Sequence, residues 1–223
     1  MKKHTSVWLI IPQTNLHVGN ESTVCFSVID KAIQRDVTTG LPCINSSSLK
    51  GAIKEYFEHR KATNIKEIFG STKTNKGDSQ KGSAIFFDAT LLAIPEQTTG
   101  CATPYKLAYD KGTVDAFVAK AELLGIKITA EAIIGNIQNN EEVNKSKFKE
   151  LCSNDNLPII ARNCLENGES VNLWYEQVLP SQSVLATVIQ TNSKEDLDCL
   201  NGKIVQIGAN ATIGYGYCKF IKL

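Results

Sequence analysis

His17, Asp30, Gln34, Arg35, Asp36 and Lys50 fall inside one stretch, residues 16–51, LHVGNESTVCFSVIDKAIQRDVTTGLPCINSSSLKG. An imidazole, two carboxylates and two cations in so short a span can bind a polyanion, move a proton or hold a cation. A two-metal nuclease site does not follow from the spacing: within this stretch there is no D-x-D or H-x-D cluster, and one carboxylate cannot hold a pair of ions. Lys50 stands at a helix start. Leu49, Ala52, Ile53, Tyr56 and Phe57 share one helical face, and Ser46, Ser47 or Ser48 can cap the free N–H groups before them. The positive end of a helix disfavours a lysine in its first turn. A phosphate held by the free N–H groups and the ammonium would reverse that penalty, and a solvated lysine is the alternative. At the other end of the chain, GANATIGYGYCKF places Gly208, Asn210, Gly214 and Gly216 around a small polar loop. Glycine lets backbone N–H groups approach a phosphate closely, although tight hairpins use the same residues. Neither a Walker lysine nor a dinucleotide fingerprint accompanies them.

The elements that must position these groups follow from periodicity. An apolar run, residues 7–11, reads as a buried strand ending at Pro12. Between it and the helix lie roughly 30 residues, far above the usual connection, which favours a functional loop. A helical tail at 65–69 ends at Gly70, and the polar segment 71–82 reads as a surface loop. SAIFFDATLLAI, residues 83–94, is the strongest strand signal; Asp88 within it implies a bulge, a bend, a partnered carboxylate or a solvent-facing one. Residues 95–157 read as an insertion, turn-rich at 97–110, helical at 114–124, a strand or hairpin arm at 126–134, and a short helix at 147–152. Order returns with Arg162, an Asn167-Gly168 turn, the Trp174-Tyr175 pair, a strand at 183–189, a short helix at 194–199 and a strand at 203–207. The aromatic pair reads first as hairpin packing and second as a base-stacking platform. The order strand, long loop, helix, strand, insertion, strand, helix, strand predicts an α+β, ferredoxin-like (RRM-like) βαββαβ core with a long first loop and a middle insertion. The outer strands are neighbours in that fold, so the SSSLKG helix start and the glycine loop can face one site.

Composition narrows the classes. The chain has 223 residues and a formal net charge of +1, enough for one domain with a real core and no global basic field. Any nucleic-acid site must be local, and Arg35, Arg60 and Arg162 are its only arginines. The apolar run after Met1-Lys2-Lys3 is too short for a signal peptide, and no stretch approaches a membrane span. Seven scattered cysteines without a C-x-x-C pair point to reduced cytoplasmic thiols rather than disulfides or zinc.

GLPCINSSSLKGAIKEYF paired with a C-terminal GANATIGYGY loop resembles the RAMP superfamily of CRISPR–Cas proteins. VIDKAIQRD, IFGS, GSAIFFDATLLAIP, IARNCLENGESVNLWYEQVLP and VQIGANATIGYG, in that order, are similar to the family of backbone (fourth Cmr) subunits of type III-B effector complexes. PEQTTGCATPYKLAYDKG, following AIP, departs from the family's pattern, and the middle section is short for the family. The resemblance implies a row of head-to-tail copies with other Cmr-type subunits along a guide CRISPR RNA. Each copy would flip out a guide nucleotide with a thumb-like projection, expected in 95–157, and complementary target RNA would be cut periodically. It implies Asp30 as the catalytic residue, with a divalent ion, Mg2+ or Mn2+, held there. It implies RNA contacts at His17, Arg35 and Lys50, and Ser47, Ser48, Gly208, Asn210, Gly214 and Gly216 join them as the RNA-binding set. A catalytically silent RNA-binding scaffold is one alternative. A RAMP endoribonuclease that processes precursor guide RNA through a histidine base, with His4, His17 and His59 available, is the other.

Overall fold

The computed structural model describes residues 3–19, 29–71, 80–99 and 102–223. Four strands carry the centre of the sheet: β1 (His4–Pro12), β4 (Ala89–Gln97), β9 (Val184–Thr191) and β11 (Tyr217–Lys222). Their order, β11-β1-β9-β4, with every neighbouring pair antiparallel, is that of a ferredoxin-like core. The sheet is extended at one edge by β10 (Ile204–Gln206), and at the other by β5 (Tyr105–Tyr109) and β6 (Asn140–Glu142). Two short strands, β2 (Cys43–Ile44) and β3 (Ile85–Phe86), pair with β4 and β9.

Side chains alternate faces along a strand, and here both faces are buried. Trp8 and Ile10 point to one core with Leu91, Leu185, Ile189 and Phe220, under helix α1 (Ser46–His59) and its Leu49, Ile53 and Phe57. Val7 and Leu9 point to the other, with Leu92, Ala186 and Val188. Helices α3 (Lys111–Leu123) and α4 (Ala130–Ile134) cover that second face through Val114, Phe117, Ala121 and Ile133. Each fully buried large side chain contributes about 1.5–3 kcal/mol. The first face also carries α2 (Ile65–Phe69), α5 (Lys145–Leu151) and the 3-10 helix Glu195–Leu200, which holds the place of the second ferredoxin helix.

Several expectations change here. Residues 83–94 are not one strand. The ladder breaks at Asp88, whose carboxylate accepts from the Ser46 N–H at 2.6 Å. That bond caps α1, and Asn45 at its N-cap makes no side-chain cap bond, so the serines are not the device the sequence suggested. Residues 130–134 form a helix rather than a strand or hairpin arm, because Thr129 caps the Ala132 N–H and the alanines and glutamate that follow favour helix. The section 95–157 supplies β5, β6, α3 and α4 to the main sheet and its second core. A separate two-stranded sheet is formed by the hairpin of β7 (Ile159–Glu166) and β8 (Glu169–Gln177). Its turn is the expected Asn167-Gly168, both at positive φ, as a two-residue hairpin turn requires. The middle of the 71–82 loop, 72–79, and residues 20–28 of the long first loop lie outside the described residues.

Candidate functional site

Three segments meet at the root of the β7–β8 hairpin: residues 13–19 after β1, residues 29–36 of the long loop, and the glycine loop 207–216 before β11. The first and third are stitched by backbone bonds, Ala209 N–H to His17 O at 2.9 Å and Gly216 N–H to Asn15 O at 2.9 Å. The second is stitched to β8, with Asp30 and Lys31 N–H groups both donating to Tyr175 O at 3.1 Å and Gln177 N–H donating to Lys31 O at 2.9 Å.

Asp30 is exposed, and its Oδ2 accepts the Tyr175 N–H at 2.7 Å. Its Oδ1 has no hydrogen-bond partner among the described residues. Lys31 turns to Glu176, with Nζ to Oε1 at 3.0 Å and Nζ 5.0 Å from the centre of the Trp174 ring. Glu176 is the hub of the site. Its side chain is 2% exposed; Oε1 also accepts from Trp174 Nε1 at 2.7 Å, and Oε2 accepts from Asn210 Nδ2 at 2.7 Å. Burial raises its pKa, but the hydrogen bonds from Trp174, Lys31 and Asn210 and the Lys31 charge outweigh burial and bring it down to about 2. One ionised carboxylate thus joins the long loop, the hairpin and the glycine loop. Arg162, cross-strand partner of Trp174, completes the group with Nη1 3.6 Å from Glu176 Oε2.

The other expected site residues divide. His17 is buried; because the Gln177 carbonyl can only accept, the His17 Nδ1–H donates to it, at 2.7 Å. That bond braces the segment after β1 against β8. Arg35 points away to α5, donating to Gly40 O and Cys152 O, both at 2.8 Å, and burial lowers its pKa. It does not pair with Asp36, whose pKa burial raises and the Thr39 and Thr38 donors bring down overall. Gln34 holds the loop against α1, donating to Ser48 Oγ at 3.1 Å and accepting from Asn45 N–H at 2.8 Å. Ser47 is exposed and Lys50 half-buried near the start of α1, so these two remain open to a ligand. Gly208 and Gly216 are explained within the chain: a Cβ would lie 2.3 Å from His17 O at the first and 1.9 Å from Ile207 O at the second. Around Gly214 a Cβ would meet nothing within 4 Å.

A resident metal ion does not fit this donor set. Among the described residues no three His, Cys, Asp or Glu side chains converge as ligands, and Asp30 has one oxygen bonded to the Tyr175 N–H. None of Cys43, Cys152, Cys164, Cys199 and Cys218 forms a disulfide, and no described helix is long and apolar enough to cross a membrane.

The model of the RAMP superfamily matches residues 11–219. The chain is a RAMP superfamily protein. It is similar to the CRISPR system Cmr endoribonuclease Cmr4 of Pyrococcus furiosus, at 26% identity over 272 residues that take in 92% of this chain and 91% of that one. Among solved structures it is similar to a chain of the type III-B Cmr-beta complex bound to cognate target RNA, with a TM-score of 0.78 at 20% identity, covering 98% of this chain and 97% of that one. Oligomeric Cmr4 from Pyrococcus furiosus gives 0.71 at 20% identity, covering 100% and 99%. At these identities the structural likeness is one of fold. Glu176, Lys31 and Arg162 are not singled out as site residues by the sequence of this RAMP protein, and Trp174 only as half of an aromatic pair, because the Lys31–Glu176 bond joins positions 145 residues apart. The one signal that could have drawn the eye is WYE, a charged residue beside two aromatics within a strand.

Proposed function

We propose that this RAMP protein is a repeated backbone subunit of a type III-B CRISPR RNA-guided effector complex, binding guide RNA and cutting complementary target RNA at Asp30. The observation that carries the reading is the Asp30 carboxylate, fixed by Tyr175 through one oxygen and, among the described residues, without a hydrogen-bond partner at the other. It stands beside a loop-built face in a fold that runs end to end with that of Cmr subunits. That second oxygen accepts the 2′-hydroxyl of a target nucleotide. The 2′-oxygen attacks the adjacent phosphorus, its proton passes to Asp30, and the bond to the 5′-oxygen breaks, that oxygen taking a proton from water. The products are a 2′,3′-cyclic phosphate and a 5′-hydroxyl. Most of the rate gain is geometric, since a regular duplex denies the in-line arrangement and a displaced nucleotide restores it. Exposed Val171 and Leu173 on β8 and Leu165 on β7 suit the hairpin to that displacement. Ser47 and Lys50 at the start of α1, with the open backbone around Gly214, form the guide side of the face.

The test is Asp30→Asn in the complex assembled with guide, partner subunits and labelled complementary RNA. Asparagine keeps an acceptor for the Tyr175 N–H, so assembly, guide content and target affinity should stay near wild type while cleavage falls by roughly 100-fold or more. Asp30→Ala removes the brace as well and should also weaken assembly. Periodic products at the wild-type rate from the Asn complex would take Asp30 out of the chemistry. The Asp30–Tyr175 bond itself favours one second reading, a silent scaffold in which Asp30 only braces the hairpin, and that outcome would establish it. A histidine-based processing nuclease has less support, because His17 is buried and engaged.

A further inference from the structure

Two cations share one carboxylate at the hairpin root, and neither is fully used. Lys31 bonds Glu176 through one of its three donors, while its side chain is 53% exposed. Arg162 is 23% exposed and makes no hydrogen bond to any described residue; its Nη1, 3.6 Å from Glu176 Oε2, is a buried nitrogen without a partner. Asn210 already holds that oxygen at 2.7 Å, which keeps the arginine from closing on it. Both cations also lie over the Trp174 ring, at 5.0 and 5.8 Å from its centre. Glu176 stays ionised to about pH 2, so the group of Lys31, Arg162 and Glu176 carries a surplus of one positive charge at neutral pH. An arginine with five donors and no hydrogen bond is an incomplete arrangement, and it normally acquires an anion that fits its planar edge.

From this geometry we infer that Lys31 and Arg162 form a seat for one phosphodiester group of the target RNA strand, with Glu176 as the counter-charge that positions both. The inference rests on the proposed RNA-guided function. It adds two residues that the sequence reading did not assign to RNA, and it selects the target strand because the seat adjoins Asp30 in the chain and Tyr175 on β8. Lysine gives a point charge and arginine a bidentate edge, so the pair can follow one phosphate as the backbone is displaced.

The test reads binding, so it does not depend on cleavage. Target affinity is measured for complexes carrying wild-type chain, Lys31→Met, Arg162→Met and Lys31→Arg, over a range of salt. The two methionine variants should each weaken target binding roughly 10-fold at low salt and lower the salt slope by about one, with guide content unchanged and Lys31→Arg close to wild type. A merely structural role would not lower the slope. Targets with a single neutral methylphosphonate, moved through the paired region, then locate the phosphate. At one or two positions per repeat the neutral linkage should weaken the wild-type complex and cost the methionine variants nothing further. Additive losses at every position, or an unchanged salt slope, would overturn the seat. Loss of guide content with target affinity per guide unchanged would overturn its assignment to the target strand. If the wild-type complex binds target with this coupling but does not cut it, the cleavage reading fails and the seat stands.

Discussion

Replacing Glu176 with glutamine should produce a stability difference that disappears in acid. The native carboxyl has its pKa lowered to about 2, against about 4.3 in an unfolded chain. A depressed native pKa means stability that is fully present above the unfolded value and is lost as pH falls toward the native one. Just over two units converts to about 3 kcal/mol, and solvent reaching the half-exposed Lys31 reduces this to roughly 1–2 kcal/mol. Equilibrium urea unfolding of wild type and Glu176→Gln from pH 7 to pH 3 measures it. The difference should be constant down to about pH 5, shrink to about half near pH 3, and vanish when both side chains are neutral. Glutamine can still accept from Lys31 or Trp174, so the variant is expected to fold. A difference that holds its full size from pH 7 to pH 3 would show that the charge of Glu176 does not bind the three segments together.

Gly216→Ala and Gly208→Ala should each cost more than about 3 kcal/mol or prevent folding, since a Cβ would collide with backbone at 1.9 and 2.3 Å. Gly214→Ala, with open space around it, should cost only the left-handed backbone penalty of about 1–2 kcal/mol; equal losses at all three in urea melts would contradict the steric argument. Asp88→Ala should lower stability by about 1 kcal/mol through the start of α1, and no change in the thermal melt would mean that the Ser46 N–H finds water equally well. Arg35→Ala should destabilise by about 2 kcal/mol, through two lost charge-assisted bonds, while guide RNA bound per folded molecule stays constant; a selective drop in guide content would return Arg35 to the RNA path.

What could be read from the chain beforehand was what repeats locally. The β1 run, the α1 face of Leu49, Ile53 and Phe57, the α2 and α5 helices and the Asn167-Gly168 turn each carry their cause within a few residues. Asp88 was noticed as an anomaly, but its partner, the Ser46 N–H, lies 42 positions earlier, and a pairing at that range leaves no periodic mark. The same distance hid the Glu176 hub, whose donors come from Lys31, Trp174 and Asn210. Glycines gave a real signal with two possible causes. At Gly208 and Gly216 a Cβ would meet the chain's own backbone, which a tight turn explains without a ligand. The expectation of Arg35 and His17 at the RNA comes from the family resemblance, and the structure shows the bonds each makes within the chain. In a loop that must itself be folded, some polar groups become its braces.

Helices bury both faces of the main sheet, so among the described residues no open platform of strands is left on which bases could stack, and the proposed recognition falls to the loops and the hairpin at one end. The hairpin has two unlike faces by strand alternation. Leu173 and Tyr175 share one, with Leu173 exposed; Trp174, Glu176 and the cross-strand Arg162 share the other. A strand of RNA wrapped around such a root can lay a displaced base against the apolar side and a phosphate against the cationic side. Asp30 is bonded to Tyr175, the backbone junction between those two faces. A hairpin shifted by its RNA would therefore carry the carboxylate with it, keeping the distance between base, phosphate and Asp30 fixed. On the proposed reading, the precision of cleavage would come from the stiffness of the hairpin root, where Glu176 joins Lys31, Trp174 and Asn210.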